Sequence, residues 1–151
     1  MNTDLKKELY QLAGEGLTYR IEENKKALAD LKESVGSESK STAGDKHETG
    51  RAMMHLEQEK VNRQLQNNLK LRKVFDRLSP EEQMNKVGLG ALVITDKIRF
   101  YIMAALGQYT LDKNKYYFIS MNSEIAKAFL GAKKGDEIQF KGEHYQIKDV
   151  I

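Results

Sequence analysis

The stretch GSESKSTAGDKHE, residues 36–48, separates two long helical patterns and so decides how the first half of the chain folds. Its small, polar, glycine-bounded composition predicts a loop at residues 36–46. Before it, apolar residues recur at spacings of three, four and seven, with a phase shift near Gly14 and Gly16: Leu5, Leu9, Leu12, Tyr19, Ile21, Leu28, Leu31 and Val35. After it, the apolar members are Met54, Val61, Leu65, Leu71, Val74, Phe75 and Leu78. These stripes predict an antiparallel coiled-coil hairpin over residues 1–78, reaching on the order of 45 Å.

The composition changes at RLSPEEQ, residues 77–83, where Ser79 and Glu82 form a capping-box pattern around Pro80. We expect one further short turn there and a linker at residues 79–85. Beyond it lie short runs rich in β-branched and aromatic residues: ALVIT, IRFYIMAAL, YYFIS, EIQF and HYQIKDVI. Such runs predict β-strands in a second domain at residues 86–151.

One helix is predicted among these strands, because NSEIAKAFLG begins with the capping residues Asn122 and Ser123 and ends at Gly131. The pair Gly142 and Glu143 suits a tight hairpin turn with glycine first. The predicted fold class is therefore α+β, a helical hairpin followed by a twisted antiparallel sheet on one short helix.

Composition and charge exclude several classes of protein. The chain has 151 residues, no cysteine and a net charge of +3, and no apolar run approaches the roughly 18 residues of a membrane span. Disulfides and thiolate metal sites are excluded, and we expect a soluble cytoplasmic protein without a membrane partner. Residues 1–85 hold 15 basic and 15 acidic side chains, whereas residues 86–151 hold 10 and 7. The charge is too small to indicate nucleic-acid binding by itself.

Two carboxylates, Asp45 and Glu48, lie three residues apart where the loop meets the second helix. This spacing fits a capping box, in which Asp45 caps the helix and Glu48 bonds back to it. Gly50 in the first turn is a poor choice for helix initiation alone. Two exposed carboxylates on one helical face could also form a weak Mg²⁺ site that another macromolecule completes. Both interpretations remain open at this point.

The other polar motifs are weaker indications of chemistry. His47, Arg51 and His55 share a helical face, but Arg51 stands where an H-E-x-x-H metal motif needs its second histidine. Six basic residues form a strip that is either a solvated helix face or a docking surface for an acidic partner or phosphate backbone: Lys60, Arg63, Lys70, Arg72, Lys73 and Arg77. No phosphate loop, dinucleotide motif or nucleophile constellation is present, so we expect no self-contained active site.

The C-terminal residues resemble the bacterial transcript cleavage factors GreA and GreB. VGLGALVIT is similar to the family's first strand after the linker, and ISMNSEIAKAFLGAKKGDEIQF with YQIKDVI is similar to its Ser-Pro-x-x-x-Ala-Leu-x-Gly-x-x-x-Gly-Asp signature and closing strands. Four positions fall in register with that signature: Ala128, Gly131, Gly135 and Asp136. The resemblance covers residues 86–151 and implies an FKBP-like domain, without implying that fold's isomerase activity.

The sequence GDKHE resembles the family's Gly-Asp-x-x-Glu, which places Asp45 and Glu48 on the family's two acidic residues. The resemblance implies a transcription elongation factor whose globular domain docks on bacterial RNA polymerase while the coiled coil enters the secondary channel. The two carboxylates then act on polymerase's own hydrolysis of backtracked RNA, sharing Mg²⁺ with it. The protein would need no cofactor of its own. Its partner contacts would include Arg51, Lys60 and Arg63, and it would meet the RNA 3′ end indirectly as a monomer.

The chain departs from the family pattern in two places. After Glu48 the family continues Asn-Ala-Glu-Tyr, whereas this chain has Thr49, Gly50, Arg51 and Ala52, and the family's proline after Ser123 is Glu124 here. A cation beside the presumed metal site favours an alternative, a non-cleaving regulator that occupies the same channel. A third hypothesis is an interaction protein whose hairpin binds a partner other than polymerase, and an independent enzyme ranks last.

Overall fold

The computed structural model describes residues 2–38 and 44–151 and shows an α+β protein, which confirms the predicted fold class. A long helical hairpin is followed by a six-stranded mixed sheet and one short helix. The helices are α1 (Asn2–Glu38), α2 (Gly44–Asp76) and α3 (Glu124–Phe129). The strands are β1 (Leu92–Thr95), β2 (Arg99–Met103), β3 (Gly107–Leu111), β4 (Asn114–Ser120), β5 (Glu137–Phe140) and β6 (Glu143–Val150).

Both long helices extend into the loop predicted at residues 36–46. Residues 36–38 belong to α1 and residues 44–46 belong to α2. A glycine at a helix end costs only about 1 kcal/mol relative to alanine, and each added residue gains a backbone hydrogen bond, so Gly36 and Gly44 do not stop these helices. The Ser-rich core of the predicted loop, residues 39–43, lies outside the described residues.

The chain divides into two compact units. The hairpin unit comprises Gly16–Lys70, and the sheet unit comprises Met1–Glu15 together with Leu71–Ile151. The start of α1 joins the sheet unit through specific contacts, because the Lys6 ammonium lies 5.8 Å from the centroid of the Tyr101 ring. In the same unit the Tyr10 and Phe75 rings stack with their centroids 4.1 Å apart, and the Tyr10 hydroxyl donates to the Phe75 and Leu78 carbonyls at the end of α2.

The buried residues of α1 form one continuous stripe. Leu9, Ala13, Leu17 and Ile21 are buried at spacings of four, whereas Tyr19 is 67% exposed. The predicted place of Tyr19 in the stripe is therefore wrong. Between Leu9 and Ile21 the buried stripe passes instead through Ala13 and Leu17, which the predicted stripe left out.

The sheet has the strand order β3-β4-β2-β1-β6-β5. All neighbouring strands are antiparallel except β2 and β4, whose parallel register pairs Phe100 with Tyr117 and Ile102 with Ile119. This pair departs from the antiparallel prediction because β3 folds back and lets β4 insert between β2 and β3. The strand β3, which the sequence analysis did not predict, forms an edge of the sheet and pairs only with β4.

The hairpin turn between β5 and β6 lies one residue earlier than predicted. Phe140 pairs with Glu143, and both intervening residues, Lys141 and Gly142, have positive φ angles of 48° and 80°. A two-residue loop with two positive φ values is a type I′ turn, which matches the right-handed twist of the strands better than other turns. Gly142 therefore takes the second loop position, and Glu143 begins β6.

The predicted short helix packs on the sheet as expected. Ser123 caps α3 by accepting a hydrogen bond from the Ala126 backbone N–H, and Ala126 and Phe129 are buried. The Phe129 ring meets the Phe100 ring edge to face, with centroids 5.1 Å apart. These contacts form the core of the sheet unit together with Val87, Ala91, Val93, Ile102, Ala132, Ile147 and Val150.

Candidate functional site

The first turns of α2 carry the acidic positions that the sequence analysis singled out. Because α2 begins at Gly44, Asp45 is the second residue of the helix, and Glu48 follows within the next turn with an exposed side chain. The side chains of Asp45 and His47 lie outside the described part of the structure.

Positions 45 and 48 are three residues apart in a helix, which places them on the same side of its backbone. Negative charge is favourable there, since the free backbone N–H groups of a helix start carry partial positive charge. Mg²⁺ bound by one or two carboxylates keeps its remaining octahedral positions for water, phosphate oxygens or ligands from another macromolecule. Among residues 2–38 and 44–151, no three histidine or carboxylate side chains come together as a metal site.

An exposed cation follows Glu48 on α2. Arg51 is exposed one helical turn further along α2, and Gly50 is half-buried. The His55 Nδ1 atom lies 3.1 Å from the Gln58 Oε1 atom on the same helix. His55 thus has a local hydrogen-bond partner, and it belongs to no group of three histidine or carboxylate side chains in the described part of the chain.

The basic strip of α2 does not form one continuous face. Lys60 and Arg63 are both exposed, and Arg63 lies two residues beyond the buried Val61, on the side of the helix that points away from α1. Lys70, seven residues after Arg63, shares this outward side. Arg72 instead lies half-buried in the sheet unit, with its Nε atom 3.2 Å from the Asp76 carboxylate. The predicted contact residues Arg51, Lys60 and Arg63 are therefore accessible, whereas Arg72 is engaged within its own unit.

Each residue of the C-terminal signature except Ala128 has a visible structural role. Ala128 is exposed on α3. Gly131 and Gly135 have φ angles of 81° and 93°, in the left-handed region that favours glycine. The Asp136 carboxylate accepts a hydrogen bond from the Lys133 backbone N–H at 2.9 Å and closes the turn before β5. The signature thus encodes the end of α3 and the following turn.

Glu124, which replaces the family's proline, begins α3 and has its own partner. Its carboxylate lies 2.8 Å from the Lys141 ammonium. The hydrogen bond from Lys141 lowers the pKa of Glu124, and a carboxylate is favourable in the first turn of a helix. The helix start is thus supported without a proline.

An apolar cavity of about 250 Å³ lies in the sheet unit, and the sequence analysis did not predict it. It is lined by Ile98, Phe100, Tyr117, Ile119 and Ile125. The sequence did contain a signal for this apolar surface. Apolar residues stand two apart at positions 98 and 100 and again at 117 and 119, and residues two apart lie on the same face of a strand. Only the parallel pairing of β2 and β4 brings the two pairs together. Tyr117 is 38% exposed, so an outside group can reach the cavity.

None of the helices in the described part of the chain is long and apolar enough to cross a membrane. No protein-family model matches the chain, and no curated protein matches it. Among solved structures, the chain is similar to that of the transcription factor Gfh1, with 16% sequence identity over 93% of this chain and 92% of that chain and a TM-score of 0.34. At these values the similarity assigns neither a family nor a function to this chain.

Proposed function

We propose that this protein is a GreA/GreB-like transcription elongation factor that binds bacterial RNA polymerase and stimulates Mg²⁺-dependent cleavage of backtracked RNA. The observation that carries the proposal is the exposed side chain of Glu48 at the start of α2, three helical positions after Asp45 in the sequence GDKHE. The C-terminal signature supports it, because its glycines and Asp136 take structural roles that the motif requires.

In this proposal the chain supplies carboxylate ligands and polymerase supplies the rest of the active site. A shared Mg²⁺ would neutralise developing charge on the RNA phosphate and lower the pKa of a bound water. Glu48 and Asp45 would orient that water and hold the ion, which positions the reactants without a new catalytic base. The protein would therefore be no enzyme by itself, and Mg²⁺ would belong to the complex.

The accessible basic residues and the apolar cavity are the proposed contacts with polymerase. Arg51, Lys60 and Arg63 are exposed on α2 and suit an acidic channel wall. The cavity between β2, β4 and α3 suits an apolar side chain of the partner, since burial of apolar surface contributes to association. The two kinds of contact lie in different units, so variants can test them separately.

The experiment that tests this proposal measures RNA cleavage in backtracked elongation complexes with the matched polymerase and Mg²⁺. Wild type should release short RNA, and Glu48→Ala and Asp45→Ala should lower the rate on the order of 100-fold. Glu57→Ala, an exposed carboxylate further along α2, is the matched control and should cleave like wild type. Equal cleavage by Glu48→Ala, Asp45→Ala and wild type would contradict the role of these carboxylates.

A second candidate function is favoured by one specific observation. The exposed Arg51 stands where the family has an acidic residue, and its positive charge would oppose binding of a cation near Glu48. The protein would then occupy the same channel as a regulator without stimulating cleavage. This candidate predicts that wild type binds polymerase and alters initiation or pausing while releasing no shortened RNA.

A further inference from the structure

The inward-facing residues of the hairpin unit follow a heptad pattern. Buried or half-buried positions recur at alternating spacings of four and three in both helices, as in a coiled coil. They form what we call the seam: Leu17, Ile21, Asn24, Leu28, Leu31 and Val35 from α1, and Met54, Gln58, Val61, Leu65 and Asn68 from α2. Most of these positions are apolar, so the polar ones need a separate explanation.

Two asparagines of the seam bond to each other across the helices. The Asn68 side-chain amide donates to the Asn24 Oδ1 atom at 2.7 Å, and the Asn24 amide donates to the Gln64 Oε1 atom at 3.4 Å. Asn24 and Asn68 are both half-buried. A half-buried amide pair adds less stability than two packed apolar side chains, but it satisfies its hydrogen bonds only when the two residues face each other.

The asparagine pair therefore distinguishes between registers of α1 and α2 that the apolar positions alone do not distinguish. If α2 slipped by one heptad, seam positions would still face seam positions, because the spacing repeats every seven residues. One direction of slip would place Asn24 opposite Val61 and Asn68 opposite Leu17, so both amides would lose their partner. Gly36 and Gly50, near the connected ends of the helices, lower the cost of unwinding a turn to permit such a slip.

We propose that the Asn24–Asn68 hydrogen bond selects the register of the hairpin unit and thereby positions Glu48 for its role in polymerase. The positioning part rests on the proposed function. A slip of seven residues moves α2 on the order of 10 Å along α1, since a helix rises 1.5 Å per residue. Catalysis tolerates far less, because misplacing a reacting group by about 1 Å can cost on the order of 100-fold in rate. Asn24 and Asn68 are thus positioning residues that do not touch the RNA.

The register is measurable without polymerase. The chain has no cysteine, so Glu22→Cys and Glu57→Cys, at two exposed positions of the hairpin unit, allow specific attachment of two spin labels. Pulsed electron paramagnetic resonance then gives the distribution of distances between the labels. The labelled parent should show one narrow maximum. The double variant Asn24→Leu/Asn68→Leu should show a second maximum displaced by on the order of 10 Å.

The control is Asn67→Leu, the same substitution next to Asn68 at an exposed position outside the seam, which should keep one maximum. Leucine at a seam position adds buried apolar area, so the double variant should stay folded, with unchanged helical circular dichroism and a raised Tm. A double variant that is helical and keeps a single maximum at the parent distance would overturn the proposed register selection.

The cleavage assay separates this inference from the proposed function. With the double variant, the maximal cleavage rate should fall at least about tenfold despite the raised Tm, while half-saturation stays near the wild-type concentration. Undiminished cleavage by a double variant with two distance maxima would overturn the positioning role. Absence of cleavage with wild type would contradict the cleavage function, and the distance distributions would still decide the register.

Discussion

At the scale of single residues, Lys6 has the least ordinary environment. Its side chain is only 1% exposed, and its ammonium donates to the Glu82 backbone carbonyl at 2.7 Å. Burial lowers the pKa of Lys6 to about 8, although the Glu82 carboxylate partly opposes this shift. The nearby Tyr101 hydroxyl is buried without a hydrogen-bond partner among the described residues, and burial raises its pKa. The burial of Lys6 could have been predicted from the sequence, because Lys6 lies three residues before Leu9 on the buried stripe of α1.

The shifted pKa of Lys6 predicts a specific pH dependence of stability. Between pH 8 and 10.5 the unfolded chain holds the Lys6 proton more strongly than the folded chain, so the free energy of unfolding gains a contribution that rises with pH. Below pH 8 both states are protonated and this contribution is constant. Lys6→Met removes this pH-dependent contribution. The unfolding free energy of wild type minus that of the variant should therefore increase by about 3 kcal/mol between pH 8 and 10.5.

Urea unfolding at pH 7.5, 9 and 10.5 measures this difference. Lys7→Met is the matched control, because the neighbouring Lys7 side chain is 46% exposed and forms a surface ion pair with Glu81. Its difference from wild type should stay small at all three pH values. A Lys6→Met difference that stayed constant over the same range would contradict a buried, readily deprotonated lysine.

At the scale of elements, α1 and α2 approach closely in the sheet unit because position 14 has no side chain. A Cβ atom on Gly14 would lie 2.7 Å from the Phe75 Cζ atom. Phe75 is 5% exposed and stacks on Tyr10, so its ring has little room to move. Gly14→Ala should therefore destabilise the protein by about 1–3 kcal/mol through overpacking, despite the better helix propensity of alanine.

Gly36→Ala, in the same helix, should instead stabilise the protein. A Cβ atom there meets nothing within 4 Å, so the variant should gain up to about 1 kcal/mol from helix propensity. Thermal and urea unfolding of both variants measure the two effects. A Gly14→Ala protein as stable as Gly36→Ala would show that Phe75 adjusts and that the close approach is not required.

At the scale of the whole molecule, the proposed function places the apolar docking contact and the cleavage carboxylates in different units. Tyr117 lines the apolar cavity of the sheet unit and is 38% exposed, so Tyr117→Ala should raise the half-saturating concentration for cleavage about tenfold, which corresponds to about 1.4 kcal/mol. The maximal rate should not change, because Tyr117 contributes no ligand. Glu48→Ala should have the converse effect, a lower maximal rate at unchanged half-saturation.

Leu130→Ala is the matched control for Tyr117→Ala in the sheet unit. Leu130 is 60% exposed at the end of α3 and does not line the cavity, so this variant should leave half-saturation and maximal rate unchanged. Titration of each variant into backtracked complexes gives both parameters from one experiment. Equal effects of Tyr117→Ala and Leu130→Ala would contradict docking through the cavity.

The sequence by itself determined the features that depend on neighbouring residues. The apolar spacing predicted two long helices and most strands, and the capping residue Ser123 predicted α3. It also singled out Asp45 and Glu48, because their spacing at a helix start is local information; their chemical role stays a prediction. These inferences succeeded because periodicity and capping depend on residues a few positions apart.

The tertiary structure alone decided which distant segments meet. The parallel pairing of β2 with β4, the edge strand β3 and the apolar cavity depend on long-range strand order, and the largely exposed side chains of β3 gave little apolar signal. Lys6 is buried only because Glu82 and Tyr101 come to it from distant positions. Likewise, Asn24 and Asn68 look like solvated polar residues until the hairpin sets them face to face. Periodicity shows which side of an element is buried, whereas only the folded chain shows which residues that side contacts.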